Sequence, residues 1–148
     1  MPILSKRSAR PLYPAVVVWT VLLFVGCANL QSVFSEQAYQ QAVTLKVESL
    51  AMMDKATEPY IQHTEDVETL QKELQKAYQY AKGRPNNSES TQQWQIMIDP
   101  EGALIGGFLV MWQERGQLSS TMIEQSKGNI EEGFDIIMEL ESGKRKPQ

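Results

Sequence analysis

Apolar residues recur at helical spacing through residues 36–81 of the chain. Val43, Val47 and Leu50 are four and three positions apart, the spacing of one face of a helix. A second set repeats this alternation further along: Val67, Leu70, Leu74, Ala77 and Ala81. No glycine interrupts the stretch. The pattern therefore predicts helix throughout and a core that includes Val47, Leu70 and Leu74.

Proline at position 59 interrupts this helical stretch. A proline lacks the backbone donor and clashes with the preceding helical turn, so a helix breaks or kinks there. It is equally tolerated in the first turn of a new helix that begins at Thr57 or Glu58. The sequence leaves open two helices or one long kinked helix. The lack of Gly or Asn near Pro59 favours the kink.

Turn-forming residues divide the remaining chain into three further segments. Gly83 suits a helix C-cap and Pro85 cannot continue a helix, so the first helical region ends there. Ser88 or Ser90 can cap a short helix that runs through Met97. After a turn at residues 99–102, an apolar segment follows at 103–112, and Gly116 closes it.

The last segment has the pattern of a long helix. Ser119 or Ser120 opens it, it extends to about Glu141, and its buried face includes Ile130, Phe134 and Ile137. No strand-like alternation follows the first 27 residues. The sequence thus predicts an all-α fold, an antiparallel helical bundle of long N-terminal and C-terminal helices. Two short connecting helices would cap one end.

Residues 1–27 have a different character. Lys6, Arg7 and Arg10 precede an apolar run at 15–26, and Cys27, the only cysteine in the chain, follows. This order is typical of a secretory signal. The segment 24–27 (Phe-Val-Gly-Cys) resembles the lipobox of bacterial lipoproteins, with Phe24 in place of the usual Leu. An uncleaved membrane anchor over residues 12–30 and a buried core cysteine are the alternatives.

The resemblance implies that Cys27 is acylated and becomes the N-terminus after cleavage. Several acyl chains give durable membrane anchoring where one does not. The class resides in the bacterial envelope, and Ala28, rather than an aspartate, favours the periplasmic face of the outer membrane. We expect a cleaved signal peptide at 1–26, a lipidated tether at 27–35, a single helical domain at 36–142 and a frayed basic tail at 143–148.

Removal of the signal peptide would leave an acidic chain. Residues 1–26 contain three of the 14 basic residues and none of the 18 acidic ones, so 11 basic and 18 acidic residues remain, a net charge of −7. This charge argues against nucleic acid as a partner. It also argues against a domain that lies flat on anionic lipid. No cysteine would remain for an internal disulfide, so packing must hold the fold.

Groups that could perform catalysis or bind metal are scarce. His63 is the only histidine, and Asp66 follows one helical turn later, where it could orient the imidazole or share a metal ion. Zinc needs three or four ligands, and no second histidine or free cysteine is present. We expect a solvated surface histidine, no metal, no cofactor and no enzyme. Gly106 and Gly107 lack a preceding strand, so they predict close helix packing rather than a phosphate-binding loop.

The candidate binding residues are Trp94, Phe108, Met111 and Trp112, with Arg84 at their rim. Most of this aromatic cluster is expected in the core. Its apolar content leaves an exposed groove or patch as an alternative. The favoured function is a lipid-anchored, non-enzymatic envelope protein that binds a protein partner through its helical bundle. The alternative is a small-molecule or lipid-binding lipoprotein with an aromatic-lined pocket.

Overall fold

The computed structural model describes residues 32–143. The expected signal peptide, the lipidation site Cys27, residues 28–31 and residues 144–148 lie outside this range. Residues 32–143 contain five α-helices and no strand, which confirms the predicted all-α class. Within these residues, no helix combines the length and apolar character needed to cross a membrane. The helices are α1 (Glu36–Asp54), α2 (Thr64–Gly83), α3 (Ser88–Ile98), α4 (Ile105–Arg115) and α5 (Ser120–Ser142).

Pro59 separates two helices, so the favoured interpretation of one kinked helix is wrong. Helix α1 ends at Asp54, and two 3₁₀ turns, Lys55–Thr57 and Tyr60–Gln62, precede helix α2. Glu58 and Pro59 between the turns are both extended. The cause is local, because a proline ring disfavours the helical conformation in the residue before it.

Four helices contact one another in a closed ring. Helix α1 contacts α2 and α5, and α3 likewise contacts both α2 and α5. Helix α4 instead contacts α3 and the 3₁₀ turn Tyr60–Gln62. That the two short helices cap one end stays a prediction. Of these two helices, α4 lies against the connection that contains Pro59.

Polar side chains and special backbone angles define the helix ends. Ser119 accepts a hydrogen bond from the Met122 amide, as expected of the residue that opens α5. Gly116 ends α4 with a φ of 76°, which confirms the predicted stop. Gly83, however, is the last residue of α2 and not its cap. The left-handed residue after α2 is Asn86, with a φ of 55°.

Ser32 and Ser35, which the sequence assigned to the tether, contact the helical part of the chain. Ser32 is buried and its amide donates to the Asn86 carbonyl at 3.1 Å. Ser35 caps α1 by accepting from the Ala38 amide, and its hydroxyl lies 3.0 Å from the Tyr80 hydroxyl. The sequence did not reveal these contacts, since polar residues alone resemble a linker.

Of the six residues predicted to be buried, five are in the core and one is not. Leu70, Leu74, Ile130, Phe134 and Ile137 are all buried, whereas Val47 is 63% exposed. Helix α1 buries a different stripe: Ala38, Ala42, Leu45, Ser49, Met52 and Met53. That stripe has the same helical spacing and combines the small residues Ala38, Ala42 and Ser49 with the larger Leu45, Met52 and Met53. Val47 lies outside this stripe and is therefore exposed although it is apolar.

Gly106 and Gly107 permit the close packing that the sequence predicted. A Cβ atom at position 106 would stand 2.5 Å from the Ile98 carbonyl, and one at position 107 only 1.9 Å from the Gly102 oxygen. Both neighbours are backbone atoms, which cannot rotate away. The start of α4 therefore rests directly on the end of α3 and the turn that follows it.

Candidate functional site

The aromatic cluster lies in the interior. Trp94 and Phe108 are each 3% exposed and Trp112 is fully buried. The Trp94 ring packs edge-on against Phe134, with 6.0 Å between ring centroids. Met111 is half-buried and packs against this core. The three rings are thus core, as the sequence favoured, and the alternative of an exposed patch or groove does not hold for them.

Arg84 lies far from Trp112, one member of this cluster. Its Nη1 contacts the Glu141 carboxylate at 2.8 Å, and its Nη2 donates to the Val33 carbonyl. Val33 precedes α1, whereas the Trp112 indole donates to Glu58, which follows α1. At 1.5 Å per residue, the 19 residues of α1 span about 28 Å. Arg84 and Trp112 therefore belong to opposite ends of that helix.

The segment that follows α1 is held against α4 and the loop after α4 by several contacts. We call residues 55–63 the Pro59 connection. The Trp112 Nε1 donates to the Glu58 carbonyl at 3.1 Å, and the Tyr60 ring meets the Trp112 ring edge-on at 5.4 Å. The Tyr60 amide donates to the Gly116 carbonyl at 2.7 Å. These contacts fix the backbone of the connection on both sides of Pro59.

His63 is held in this connection and is not the solvated histidine that we expected. Its side chain is only 13% exposed, and its ring lies 5.6 Å from Trp112. Nε2 is 2.8 Å from the Glu58 carboxylate, and Nδ1 is 4.0 Å from Asp66, which also pairs with Lys55. The helical spacing did predict the proximity of His63 to Asp66. Among residues 32–143, no three His, Cys, Asp or Glu side chains are grouped to hold a metal ion.

A surface groove of about 410 Å³ lies between the Pro59 connection and the end of α4. Ile61 stands at this groove and is 79% exposed, more than any other large apolar side chain in the described range. Burial raises the pKa of the Tyr60 phenol, and the negative charge of Glu68 adds to the effect. The lining residues are Pro59, Tyr60, Ile61, Gln113, Arg115, Gly116 and Gln117. We call this surface the Ile61 groove.

The sequence offered only a faint signal for the Ile61 groove. Tyr60 and Ile61 follow a proline within a polar stretch, outside both helical stripes. The other side of the groove comes from residues 113–117, more than 50 positions away. No protein-family model, curated protein or solved structure matches the chain. Functional inference accordingly depends on the sequence pattern and this geometry.

Proposed function

We propose that this protein is a lipid-anchored envelope protein that binds a protein partner through the Ile61 groove and catalyses no reaction. The anchoring part depends on the basic segment, the apolar run and Cys27. By the resemblance to bacterial lipoproteins, acyl chains on Cys27 hold the chain at the periplasmic face of the outer membrane. The binding part depends on the geometry of the Pro59 connection.

We infer that α1 and α5 run antiparallel within a helical bundle. Lys46 pairs with Asp135 at 2.6 Å, and Asp54 pairs with Lys127. Asp54 follows Lys46 by eight residues in α1, whereas its partner Lys127 precedes Asp135 by eight residues in α5. This register supports an elongated domain with Ser32 at one end and the Pro59 connection about 28 Å away at the other.

The exposure of Ile61 on a firmly held connection is the observation that carries the binding proposal. A single exposed apolar residue is ordinary on a protein surface, and Val47 on the side of α1 is an example. Ile61 differs because it borders a concave surface and its backbone is already ordered. Ordering costs are a large part of the free energy lost on association, so a preformed site loses less.

The composition of the groove favours a protein partner. Ile61 supplies an apolar contact, Arg115 supplies a positive charge, and Gln113 and Gln117 supply hydrogen-bonding amides. An apolar anchor within a polar rim is the usual anatomy of a protein interface, and arginine is enriched there. The alternative of an aromatic-lined ligand pocket has less support, because Trp94, Phe108 and Trp112 are core.

Acyl labelling tests the anchoring part. Cells that express the full chain should incorporate labelled palmitate, and Cys27→Ser should abolish the label and leave an unprocessed precursor. If palmitate does not enter the wild-type protein, the lipoprotein interpretation is wrong.

Site-specific crosslinking in cells tests the binding part. A photoreactive amino acid at position 61 should give a defined crosslinked protein, and one at position 47, an exposed apolar position outside the groove, should not. Arg115→Glu should weaken the position-61 crosslink, while the melting temperature stays within a few degrees. Equal crosslinks from both positions, or none at position 61, would overturn the choice of this surface.

A further inference from the structure

Arg115 gives the Ile61 groove a positive charge on an otherwise acidic domain. Among the described residues that line the groove, it is the only charged one. Of the 14 basic residues in the chain, three precede residue 27 and three follow residue 143, so residues 32–143 contain eight, together with all 18 acidic ones. The groove therefore offers a partner a different charge from most of the surface around it.

Arg115 also differs from most basic residues of the domain because it lacks a carboxylate partner. Six of the eight form an ion pair: Lys46, Lys55, Lys72, Lys76, Arg84 and Lys127. Within residues 32–143, the two that form none are Lys82, which lies over the Tyr78 ring at 5.7 Å, and Arg115. The Arg115 Nη1 instead contacts the Met122 sulfur at 3.6 Å. A thioether is a weak acceptor and a guanidinium has several N–H donors, so Arg115 can bind a further acceptor.

Two backbone N–H groups at the groove are already occupied. The Tyr60 amide donates to the Gly116 carbonyl, and the Gly116 amide donates to the Trp112 carbonyl. Capture of a chain-terminal carboxylate commonly uses a nest of free backbone N–H groups, which these two amides do not supply. The planar guanidinium of Arg115 instead offers paired N–H donors, a geometry that fits the carboxylate of an aspartate or glutamate side chain. The groove chemistry thus favours an acidic side chain as the group that Arg115 binds.

We propose that one short segment of the partner presents an acidic side chain to Arg115 and an apolar side chain to Ile61. The inference rests on the proposed binding function of the Ile61 groove. Both residues line one groove of about 410 Å³, and Ile61 is 79% exposed on a connection whose backbone is already held. An exposed charge at an interface acts mainly on the rate of association, its salt dependence and the choice of partner. Arg115 thus selects, among apolar segments, those that carry a carboxylate.

A displayed library of random short peptides provides the probe for the test. The library is selected on the full-length protein in detergent, with a photoreactive amino acid at position 113, which lines the groove and leaves Ile61 and Arg115 unchanged. We expect the peptides that crosslink from position 113 to be enriched in Asp or Glu beside an apolar residue. On Arg115→Glu, the enriched charged residues should change to Lys or Arg.

Lys82→Glu is the matched control, because it makes the same change of charge at the other described basic residue that forms no ion pair. Lys82 is exposed in the last turn of α2. It lies about 27 Å along that helix from Thr64, where α2 begins after the Pro59 connection. Selection on this variant should keep the acidic preference.

A synthetic peptide from the wild-type selection measures the proposed pair directly. Replacement of its acidic residue by the corresponding amide should weaken binding about tenfold at low salt, and Arg115→Gln in the protein should weaken it equally. The two changes together should weaken binding little further, because both remove the same interaction. Salt at about 0.5 M should reduce the affinity of the unchanged pair by screening.

The outcomes separate this inference from the function on which it rests. If position 61 gives no crosslinked protein in cells, the binding proposal itself fails. If that crosslink forms, the groove is a binding site, and any of three peptide results overturns the acidic segment. These results are no peptide that crosslinks from position 113, enrichment without an acidic preference, or an acidic preference that survives Arg115→Glu.

Discussion

Ser49 is completely buried in α1, whereas Val47, two residues before it, is 63% exposed. Hydrophobicity alone predicts a buried Val47 and an exposed Ser49. The Ser49 hydroxyl has no hydrogen-bond partner in the part of the chain that the structure describes. A buried hydroxyl without a partner loses its hydration and gains nothing in return. The place of Ser49 on the same helix face as Leu45 and Met52, and not its polarity, therefore accounts for its burial.

Ser49→Ala should stabilise the protein by about 1–2 kcal/mol, because it removes the unpaired hydroxyl and favours the helix. Urea unfolding of the domain measures the change. Thr44→Ala, at an exposed position of the same helix, controls for helix propensity and should give a smaller gain. A destabilised Ser49→Ala protein would mean that the hydroxyl has a partner.

Two glycine-to-alanine substitutions should change the free energy of unfolding in opposite directions. Gly128→Ala in α5 should stabilise by about 1 kcal/mol, since nothing lies within 4 Å of the added Cβ atom. Gly107→Ala should destabilise by roughly 2 kcal/mol or more, because its Cβ atom would overlap the Gly102 carbonyl. Thermal unfolding of both variants checks the pair. A Gly107→Ala protein with unchanged thermal stability would contradict the close contact between α4 and the turn before it.

The buried ion pair of Arg84 and Glu141 should show a large coupling energy. Arg84→Met removes the guanidinium that pairs with the buried Glu141 carboxylate and should cost about 3 kcal/mol. A double-mutant cycle with Glu141→Gln should give a coupling energy above ~1 kcal/mol. The exposed pair Lys72 and Glu68 is the matched comparison, with an expected coupling of about 0.5 kcal/mol or less. Equal couplings would show that burial does not strengthen the first pair.

Stability should decline in alkaline solution through Tyr60. Its pKa is raised above the ordinary value of 10.0, so the fold favours the neutral phenol. The stabilisation is complete below pH 10 and falls as the pH rises from there through the pKa of the folded state. Tyr60→Phe should flatten this decline, because it removes the titrating phenol. Unfolding free energies between pH 8 and 11 measure the difference.

The all-α class and most of the core residues of α2 and α5 could be predicted from the sequence. In each of these helices, apolar residues at helical spacing define the buried face. Leu70, Leu74 and Phe134 illustrate this. The buried face of α1 could not be predicted. A stripe through Val47 and a stripe through Ser49 have the same helical period, and only their fit to the neighbouring helices distinguishes them. The break at Pro59 could be predicted from Glu58, because a proline disfavours helical backbone in the residue that precedes it.

The candidate site was harder to predict for a different reason. Aromatic residues are the strongest composition signal for binding, yet in a small helical domain they are also the side chains that fill the interior. Trp112 is fully buried, while Ile61 in the Pro59 connection is 79% exposed. The Ile61 groove requires residues 59–61 and 113–117 to meet, and no local pattern encodes that meeting.

The burial of Trp94 and Trp112 makes the protein an optical reporter of its own folding. The chain has three tryptophans, and the third, Trp19, lies in the expected signal peptide. After cleavage, every indole in the chain would belong to the core. Its emission should then be shifted to short wavelength in the native state and move to long wavelength on unfolding. No attached dye is needed to follow that transition.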